Sequence, residues 1–342
     1  MSISWLQRTQ KIKAAIFTLA SIVLLIYTIS DSNLRWSDLR IGKTEAILFF
    51  TTVLLLILVI CLQAKRFIIP TEGLKVVKTT DSIKSLLLGL LYNSLLPGNI
   101  GELIRAWHFS KKNKISYKHG LSLVGLEKYI DALNYILYAA ILGLIFGSLA
   151  VYRRLFMPVT IIVLFIFILY LLIIHHRQTE RIMLRFLSLF ENKGMWLFSL
   201  HEQLKLYLKS MTLDQYLRYF VIGLIIFIIN ILQYYLLLQM TSLPAAMRSW
   251  DVAYMVSVSM IIVFLIPAAP GSAGVVHGGI YYVLLQIASF KSLPVNVELT
   301  SEAAAYTIYL HLSYFIPQVT AGVIVLFKER NVLFYTPDSG FS

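Results

Sequence analysis

Acidic residues, cysteine and long polar stretches are all scarce in this sequence. The 342 residues include 17 Asp and Glu against 30 Lys and Arg, one cysteine and only 14% charged residues. The single Cys61 excludes an intramolecular disulfide. With 58% hydrophobic residues and a mean hydropathy of +0.76, the chain carries more apolar surface than a soluble core can bury. The sequence therefore predicts an all-α polytopic membrane protein, with residues 1–342 forming one transmembrane domain.

Motifs of enzyme chemistry are also missing. The seven histidines show no zinc-binding spacing, and the chain has no P-loop, no Rossmann fingerprint and no G-x-S-x-G nucleophile elbow. These absences favour a protein that is not an enzyme and that needs no cofactor and no metal. The polar segment 175–218 is too short for a catalytic domain. Its apolar and basic residues alternate at helical spacing, which predicts amphipathic helices on the cytoplasmic membrane surface.

Six apolar runs are long enough to cross a bilayer, which takes about 20 helical residues. We place them at residues 14–30, 46–63, 120–147, 157–174, 220–240 and 303–327. Two further apolar regions, 82–109 and 252–290, are each interrupted by proline and glycine. Each is too long for one helix and too short for two full spans with a loop. Each therefore predicts a re-entrant helical hairpin.

Lysine and arginine are distributed unevenly between the predicted loops. With the N-terminus inside, 21 of the 30 fall in cytoplasmic segments and seven fall outside, while Arg105 and Lys128 lie within apolar segments. Such a bias toward the inside is the rule for short loops. It predicts a multi-pass protein of the cell (cytoplasmic) membrane with both termini in the cytoplasm. Contact with anionic lipid head groups then explains the net charge of +13 without a nucleic-acid partner.

In this orientation the two halves of the chain, about 1–150 and 151–330, form an inverted repeat, each with the order span, span, hairpin, span. Both hairpin tips read P-G-x-x-G. The tip residues are Pro97, Gly98, Asn99 and Gly101 in the first half and Pro270, Gly271, Ser272 and Gly274 in the second. Broken helices that meet at the bilayer midplane are a recurrent transporter design. Because non-helical backbone at that depth survives only in protein or beside a water-filled cavity, the tips predict a binding cavity.

Charged residues follow the first tip closely. A helix N-terminus there would favour an anion, and Arg105, one turn further, would offer a phosphate a bidentate partner. Two interpretations of Glu102 stay open: it forms a capping box with Asn99, or it belongs to the ligand site. His108 lies further along the same helix, where an interfacial position is favoured over a catalytic one.

One face of the third span is polar. Glu127, Asp131, Asn134 and Tyr138 recur at helical spacing, and intramembrane carboxylates are candidates for binding cations or protons. Lys128 points off this face, so it either snorkels to the surface or pairs with a neighbouring helix. For the two carboxylates, a static ion pair with Arg105 is the structural alternative to a binding role.

The second half repeats this pattern more mildly. The last span places Glu302, Tyr306 and Tyr309 at helical spacing. His277 follows the second tip and His311 lies in the last span. Each of these two histidines is either a satisfied core residue or a ligand group.

Three stretches carry a resemblance to a known family. "NSLLPGNIGELIRAW" contains the first tip, "LEKYIDAL" is similar to an E-R-x-x-D motif, and "PAAPGSAGVVHG" is similar to P-x-x-P-G-x-x-G-x-x-E. Over nearly its whole length the chain resembles the lysylphosphatidylglycerol synthase transmembrane-region family, the flippase-like part of the multiple peptide resistance factor. Lys128 stands where that family usually has Arg, and His277 stands where it usually has Glu.

The resemblance implies translocation of an anionic or lipid-linked substrate between the leaflets of the membrane. The substrate-binding residues would be those of the two tips together with Glu102, Arg105, Glu127, Lys128, Asp131 and His277. Partners would be membrane lipids, a second copy of the chain, or a separate lipid-modifying enzyme. Two alternatives from other classes stay open: a membrane-embedded transferase acting on a polyprenyl-phosphate or glycolipid, and a scaffold for a glycolipid-assembly complex.

Overall fold

The protein is helical throughout the part of the chain that the structure describes. This computed structural model describes residues 19–34, 39, 42–72, 77–96, 100–146, 161, 165, 202–203, 205–265 and 270–334, and these residues contain no strand. The helices are α1 (Leu19–Ser32), α2 (Lys43–Phe67), α3 (Thr79–Leu95), α4 (Gly101–Asn113), α5 (Tyr117–Phe146), α6 (Leu213–Gln239), α7 (Trp250–Leu265), α8 (Ala273–Phe290) and α9 (Val297–Phe334). Short 3₁₀ turns follow α2 and precede α8.

Several of these helices have the length and composition of membrane spans. Four stretches of the described chain are long and apolar enough to cross a bilayer, namely Lys43–Thr71, Leu213–Gln239, Pro270–Phe290 and Val297–Arg330. The helix of the first stretch exposes large side chains such as Ile47, Phe50 and Leu54. A helix satisfies its own backbone hydrogen bonds, so an apolar exterior of this kind suits contact with lipid.

The predicted all-α class is confirmed, and helices cover the predicted runs 46–63, 120–147, 220–240 and 303–327. Helix α6 begins at Leu213, so the end of segment 175–218 belongs to a long apolar helix and not to a surface helix. Thr212 and Gln215 form a capping box that fixes this early start. Most of the predicted run 157–174 and most of 175–218 lie outside the described residues. The stretch Pro270–Phe290, predicted as half of a re-entrant hairpin, is itself long enough to cross.

Helices α3 and α4 form an antiparallel pair around two glycines. The side-chain oxygen of Asn93 accepts a hydrogen bond from the Gly101 N–H at 2.7 Å, and the hydroxyl of Ser85 lies 2.8 Å from Nδ1 of His108. A Cβ on Gly101 would collide with the carbonyl oxygen of Gly89. The close approach of these two helices therefore requires glycine at position 101.

Helices α7 and α8 form a second antiparallel pair. At the open end of this pair, Nζ of Lys291 donates to Oδ2 of Asp251 at 2.7 Å. Further along the pair, the Val263 side chain packs against Gly279. In the turn before α8, Gly271 has a φ of +67°, a conformation that glycine adopts without strain. Both pairs therefore have the form of helical hairpins.

The turn before α8 lies beside the end of α3, at the middle of α9. A Cβ on Gly271 would lie 2.9 Å from the ring of Phe315 and 3.6 Å from the carbonyl oxygen of Ser94, near the end of α3. Phe315 is close to the centre of the 38-residue helix α9. Helices α3 and α4 have 17 and 13 residues, or about 26 and 20 Å at 1.5 Å per residue, which is shorter than a hydrocarbon core of about 30 Å.

Candidate functional site

Six charged side chains from three helices form a cluster beside the first hairpin tip. Three are cationic and three are anionic, so their formal charges cancel. They are Arg66 from α2, Glu102 and Arg105 from α4, and Glu127, Lys128 and Asp131 from α5. We call this set the charged cluster. Its neutrality fits a low-dielectric setting, where an unpaired charge is costly.

Arg105 lies at the centre of the charged cluster. Its side chain is only 2% exposed, and its Nη1 atom donates to Oε2 of Glu127 at 2.5 Å. Oε2 of Glu102, one turn back on α4, lies 3.6 Å from the same nitrogen. The guanidinium carbon sits 4.2 Å from the centre of the Phe67 ring, a cation–π contact. Gly89 of α3 makes room for the Arg105 side chain, since a Cβ there would lie 3.0 Å from Cβ of Arg105.

Arg66 is the cluster member that the sequence interpretation missed. Its Nη2 atom donates to Oδ2 of Asp131 at 2.7 Å and lies 3.9 Å from Oε1 of Glu127, and the side chain is 1% exposed. The predicted span 46–63 ends before Arg66, so the sequence counts this residue among the cytoplasmic lysines and arginines. The apolar Phe67-Ile68-Ile69 that follows is the signal that the apolar segment continues past this arginine.

Two residues of α6, Tyr219 and Gly223, shape the space around Arg66. The Tyr219 ring lies 4.9 Å from the guanidinium carbon. A Cβ on Gly223 would lie 3.0 Å from Nη1 of Arg66 and 2.6 Å from the hydroxyl of Tyr138. The Tyr138 hydroxyl donates instead to the carbonyl of Phe220 at 2.6 Å. Glycine at 223 thus lets α6 approach the charged cluster closely.

The structure places Glu102 among the ion pairs. Its Oε1 atom lies 2.8 Å from the ammonium of Lys128, whose side chain is 58% exposed. Helix α4 has Ile100 in the N-cap position, without a side-chain cap. The first amide of the helix is bound instead by Asn93, from α3. Pro97, Gly98 and Asn99 lie outside the described residues, so the predicted capping partner of Glu102 is not described.

The ion pairs leave several buried polar atoms without a partner. They include Nε and Nη2 of Arg105, Nε of Arg66, Oδ1 of Asp131, Oε2 of Glu102, Nδ2 of Asn134 and the hydroxyl of Tyr219. An unsatisfied buried group costs about 1–3 kcal/mol. In a guanidinium, Nε and Nη2 form one edge, and such an edge binds two oxygens of a carboxylate or phosphate together. Arg105 therefore holds Glu127 with one nitrogen and keeps a bidentate edge unoccupied by protein groups.

Comparison with known protein families shows which family the chain belongs to. The model described as the lysylphosphatidylglycerol synthase TM region matches residues 12–322. The chain belongs to this family. No curated protein and no solved structure matches it. Together with the long apolar helices, the match identifies a multi-pass membrane protein and confirms the family predicted from the three motifs.

Two of the three motifs of this lysylphosphatidylglycerol synthase TM region meet in the charged cluster. The first supplies Glu102 and Arg105, and "LEKYIDAL" supplies Glu127, Lys128 and Asp131. The third motif lies apart from the charged cluster and reaches the end of α3, where a Cβ on Gly271 would lie 3.6 Å from the carbonyl oxygen of Ser94. Gly274 packs against the backbone of Ser21 in α1.

His277, which follows the second tip, lies within hydrogen-bonding distance of two residues of α9. Its Nδ1 atom is 3.0 Å from Oγ1 of Thr307, and its Nε2 atom is 2.9 Å from Nδ1 of His311. Ser272, in the turn, has a φ of +56° and makes no side-chain cap. Of the predicted site residues of the second half, Pro270, Gly271, Ser272 and Gly274 form the turn and start of α8, and His277 faces α9.

Glu302 and His108, two other polar residues singled out from the sequence, lie apart from the charged cluster. Glu302 accepts a hydrogen bond from the Ser242 amide at 2.7 Å and lines a cavity of about 280 Å³ beside Pro244 and Asn296. His108 binds Ser85 and lies 3.7 Å from Glu329, which also binds Lys84 and Lys112. His108 therefore belongs to the base of the first hairpin.

Proposed function

We propose that this protein translocates a phosphate-bearing lipid, or a lipid-linked intermediate, between the leaflets of the cell membrane, with both termini in the cytoplasm. The observation that carries the proposal is the unused Nε and Nη2 edge of Arg105, buried within the charged cluster near the start of α4. A phosphate is the anion that such an edge recognises best in a lipid head group. The family is named for a synthase of an aminoacylated phospholipid, which agrees with a lipid substrate.

An inverted repeat is part of the proposal, and the packing of the helices supports it. If α2 to α5 correspond in order to α6 to α9, then the contact of α3 with α9 corresponds to that of α7 with α5. Both contacts occur, and α2 packs against its counterpart α6. The pairs α2 with α9 and α6 with α5 correspond in the same way and both occur. Transporters built from such repeats alternate access around a central site.

The remaining charges would hold Arg105 and complete the head-group site. Glu127 fixes the orientation of the guanidinium through Nη1, so the free edge is held ready before a ligand enters, which lowers the cost of binding. Oε2 of Glu102 and Oδ1 of Asp131 are buried acceptors without a hydrogen-bond partner, although Oε2 of Glu102 lies 3.6 Å from Nη1 of Arg105. These two oxygens would receive donors of the head group, such as hydroxyl or ammonium groups.

The test is a leaflet-resolved assay with purified protein in phosphatidylcholine and phosphatidylglycerol vesicles that contain NBD-labelled phosphatidylglycerol. Dithionite bleaches only the label in the outer leaflet, so the bleached fraction reports flipping. Arg105→Lys keeps the charge and the pair with Glu127 but removes the bidentate edge. We expect the flipping rate to fall about tenfold or more, because a hydrogen bond to a charged group contributes about 1.5–3 kcal/mol.

Arg218→Lys is the matched control. Arg218 binds Glu72 through two nitrogens, yet it is 44% exposed and lies outside the charged cluster. This variant should flip the probe at the wild-type rate. Equal rates for Arg105→Lys and wild type would contradict the proposed site. A product formed in detergent micelles only when divalent metal is present would instead indicate the membrane-embedded transferase.

A further inference from the structure

Two buried histidines meet beside the second tip, outside the charged cluster. His277 of α8 and His311 of α9 are both at least nine-tenths buried, with Nε2 of the first 2.9 Å from Nδ1 of the second. On the other side of His277, the Oγ1 atom of Thr307 lies 3.0 Å from Nδ1 and donates to the carbonyl of Ala304 at 2.7 Å. These contacts form one hydrogen-bonded chain that ends at Nε2 of His311.

The hydroxyl proton of Thr307 sets the direction of this chain. When the hydroxyl donates to the carbonyl of Ala304, 2.7 Å away, Oγ1 of Thr307 accepts from Nδ1–H of His277. A neutral His277 then presents an unprotonated Nε2, which accepts Nδ1–H of His311. A neutral His311 in turn has an unprotonated Nε2, and this buried atom makes no hydrogen bond of full geometry, although the Gly271 backbone lies against the ring. The chain therefore ends beside the second tip in an acceptor that an added proton would turn into a donor.

The open end of the chain faces the second tip. The backbone of Gly271 lies beside the His311 ring, and the Phe315 ring touches both residues. The ring of Tyr314 stacks on His311 at 5.2 Å. Among the described residues, the polar groups that face the pair come from Thr307, Tyr314 and the Gly271 backbone, and no carboxylate, lysine or arginine acts on either ring.

We propose that the pair of His277 and His311 is a proton-binding site that couples proton uptake to movement of the second tip. A proton added at Nε2 of His311 converts this acceptor into a donor and leaves one positive charge on the pair. The charge is lost again when the proton leaves from the same atom. Since a buried imidazolium without a counter-ion is unstable, the protonated state favours a tip that admits water or an anionic head group.

This inference rests on the proposed function, because the movement concerned is the passage of a lipid head group past the tips. Proton binding itself is measured first and separately, by nuclear magnetic resonance of protein labelled with ¹⁵N-histidine in nanodiscs between pH 8 and pH 4. We expect the His277 and His311 signals to shift together with the uptake of one proton. His311→Gln can still donate to Nε2 of His277, and this variant should lose the shared titration.

His119→Gln is the control for the resonance experiment, since His119 is paired with Ser116 at an exposed position. It should leave the shared titration unchanged. Thr307→Val, which removes the acceptor for Nδ1–H, should change the tautomer of His277, and Thr307→Ser should restore it. Independent titration of the two rings, or no titration of either between pH 8 and pH 4, would overturn the proton site.

Coupling is measured with the NBD-phosphatidylglycerol vesicles under an imposed pH gradient. The gradient should change the flipping rate of the wild-type protein, and His311→Gln should lose that dependence while still flipping the probe. A wild-type rate that ignores the gradient overturns the coupling and leaves the proposed function standing. Absence of any wild-type flipping refutes the proposed function and the coupling together, whereas the resonance titration still decides whether the pair binds a proton.

Discussion

Neutralising one side of the pair between Arg66 and Asp131 should destabilise the protein strongly, and neutralising both sides should cost less than the two single losses added together. The side chain of Arg66 is 1% exposed and that of Asp131 is 15% exposed, and Nη2 of Arg66 lies 2.7 Å from Oδ2 of Asp131. Asp131→Asn leaves the charged cluster with a net charge of +1, and Arg66→Met leaves −1. Removing one partner of a buried pair costs about 3–5 kcal/mol, mostly because the other charge stays buried without compensation. We expect about 3 kcal/mol for each single variant.

The double variant Arg66→Met with Asp131→Asn is neutral again. Its loss should be smaller than the sum of the single losses by about 0.5–3 kcal/mol, the range of coupling between residues in contact. The free energy of unfolding is measured by circular dichroism in mixed micelles as the fraction of SDS is raised. Single losses that add to within about 0.5 kcal/mol would refute the pairing. The exposed pair of Arg218 and Glu72, with a separation of 2.5 Å, is the control and should show a smaller effect.

Two further predictions concern packing and topology. Gly223→Ala should cost about 1–3 kcal/mol of unfolding free energy, because the added Cβ would press on Arg66 and Tyr138. Gly278→Ala should cost less, because a Cβ there meets only ordinary contacts of 3.4 Å or more. Equal losses for the two variants would contradict the role of Gly223. In a Cys61→Ala background, cysteines at positions 112 and 291 should react with an impermeant maleimide from opposite sides of the membrane, and labelling from one side would exclude the inverted topology.

The charged residues of α4 and α5 could be recognised from the sequence because a charge inside an apolar run is conspicuous. Glu127 and Asp131 are such cases, and their shared helical face follows from a spacing of four. Their partner Arg66 could not be identified in the same way. It lies 65 residues before Asp131, and the packing of α5 against α2 brings the two together. Beside Lys65, it also had the sequence appearance of a loop residue.

The hairpins show a similar division between local and tertiary information. Proline and glycine predict that the helices break, since proline removes a backbone donor and glycine permits a positive φ. The residue that binds the first amide of α4 was not predictable, because Asn93 belongs to α3 and reaches Gly101 only through the close approach of Gly89. Antiparallel packing of the two helices, and not the local capping pattern around Glu102, decides that hydrogen bond.

Arg105 shows why neutrality and binding capacity are separate properties of the charged cluster. Glu127 compensates the charge of Arg105 through Nη1, while Nε and Nη2 keep their donors unpaired. In the proposed function a phosphate would bind that edge while the ion pair with Glu127 stays in place, and it would recover part of the cost of burying two unsatisfied donors. The double-variant cycle at Arg66 and Asp131 measures how much the compensation of charge stabilises the protein. Arg105→Lys measures how much the Nε and Nη2 edge contributes to flipping. If the edge binds the head group, Arg105→Lys will lose flipping while the cluster remains neutral and the protein remains folded.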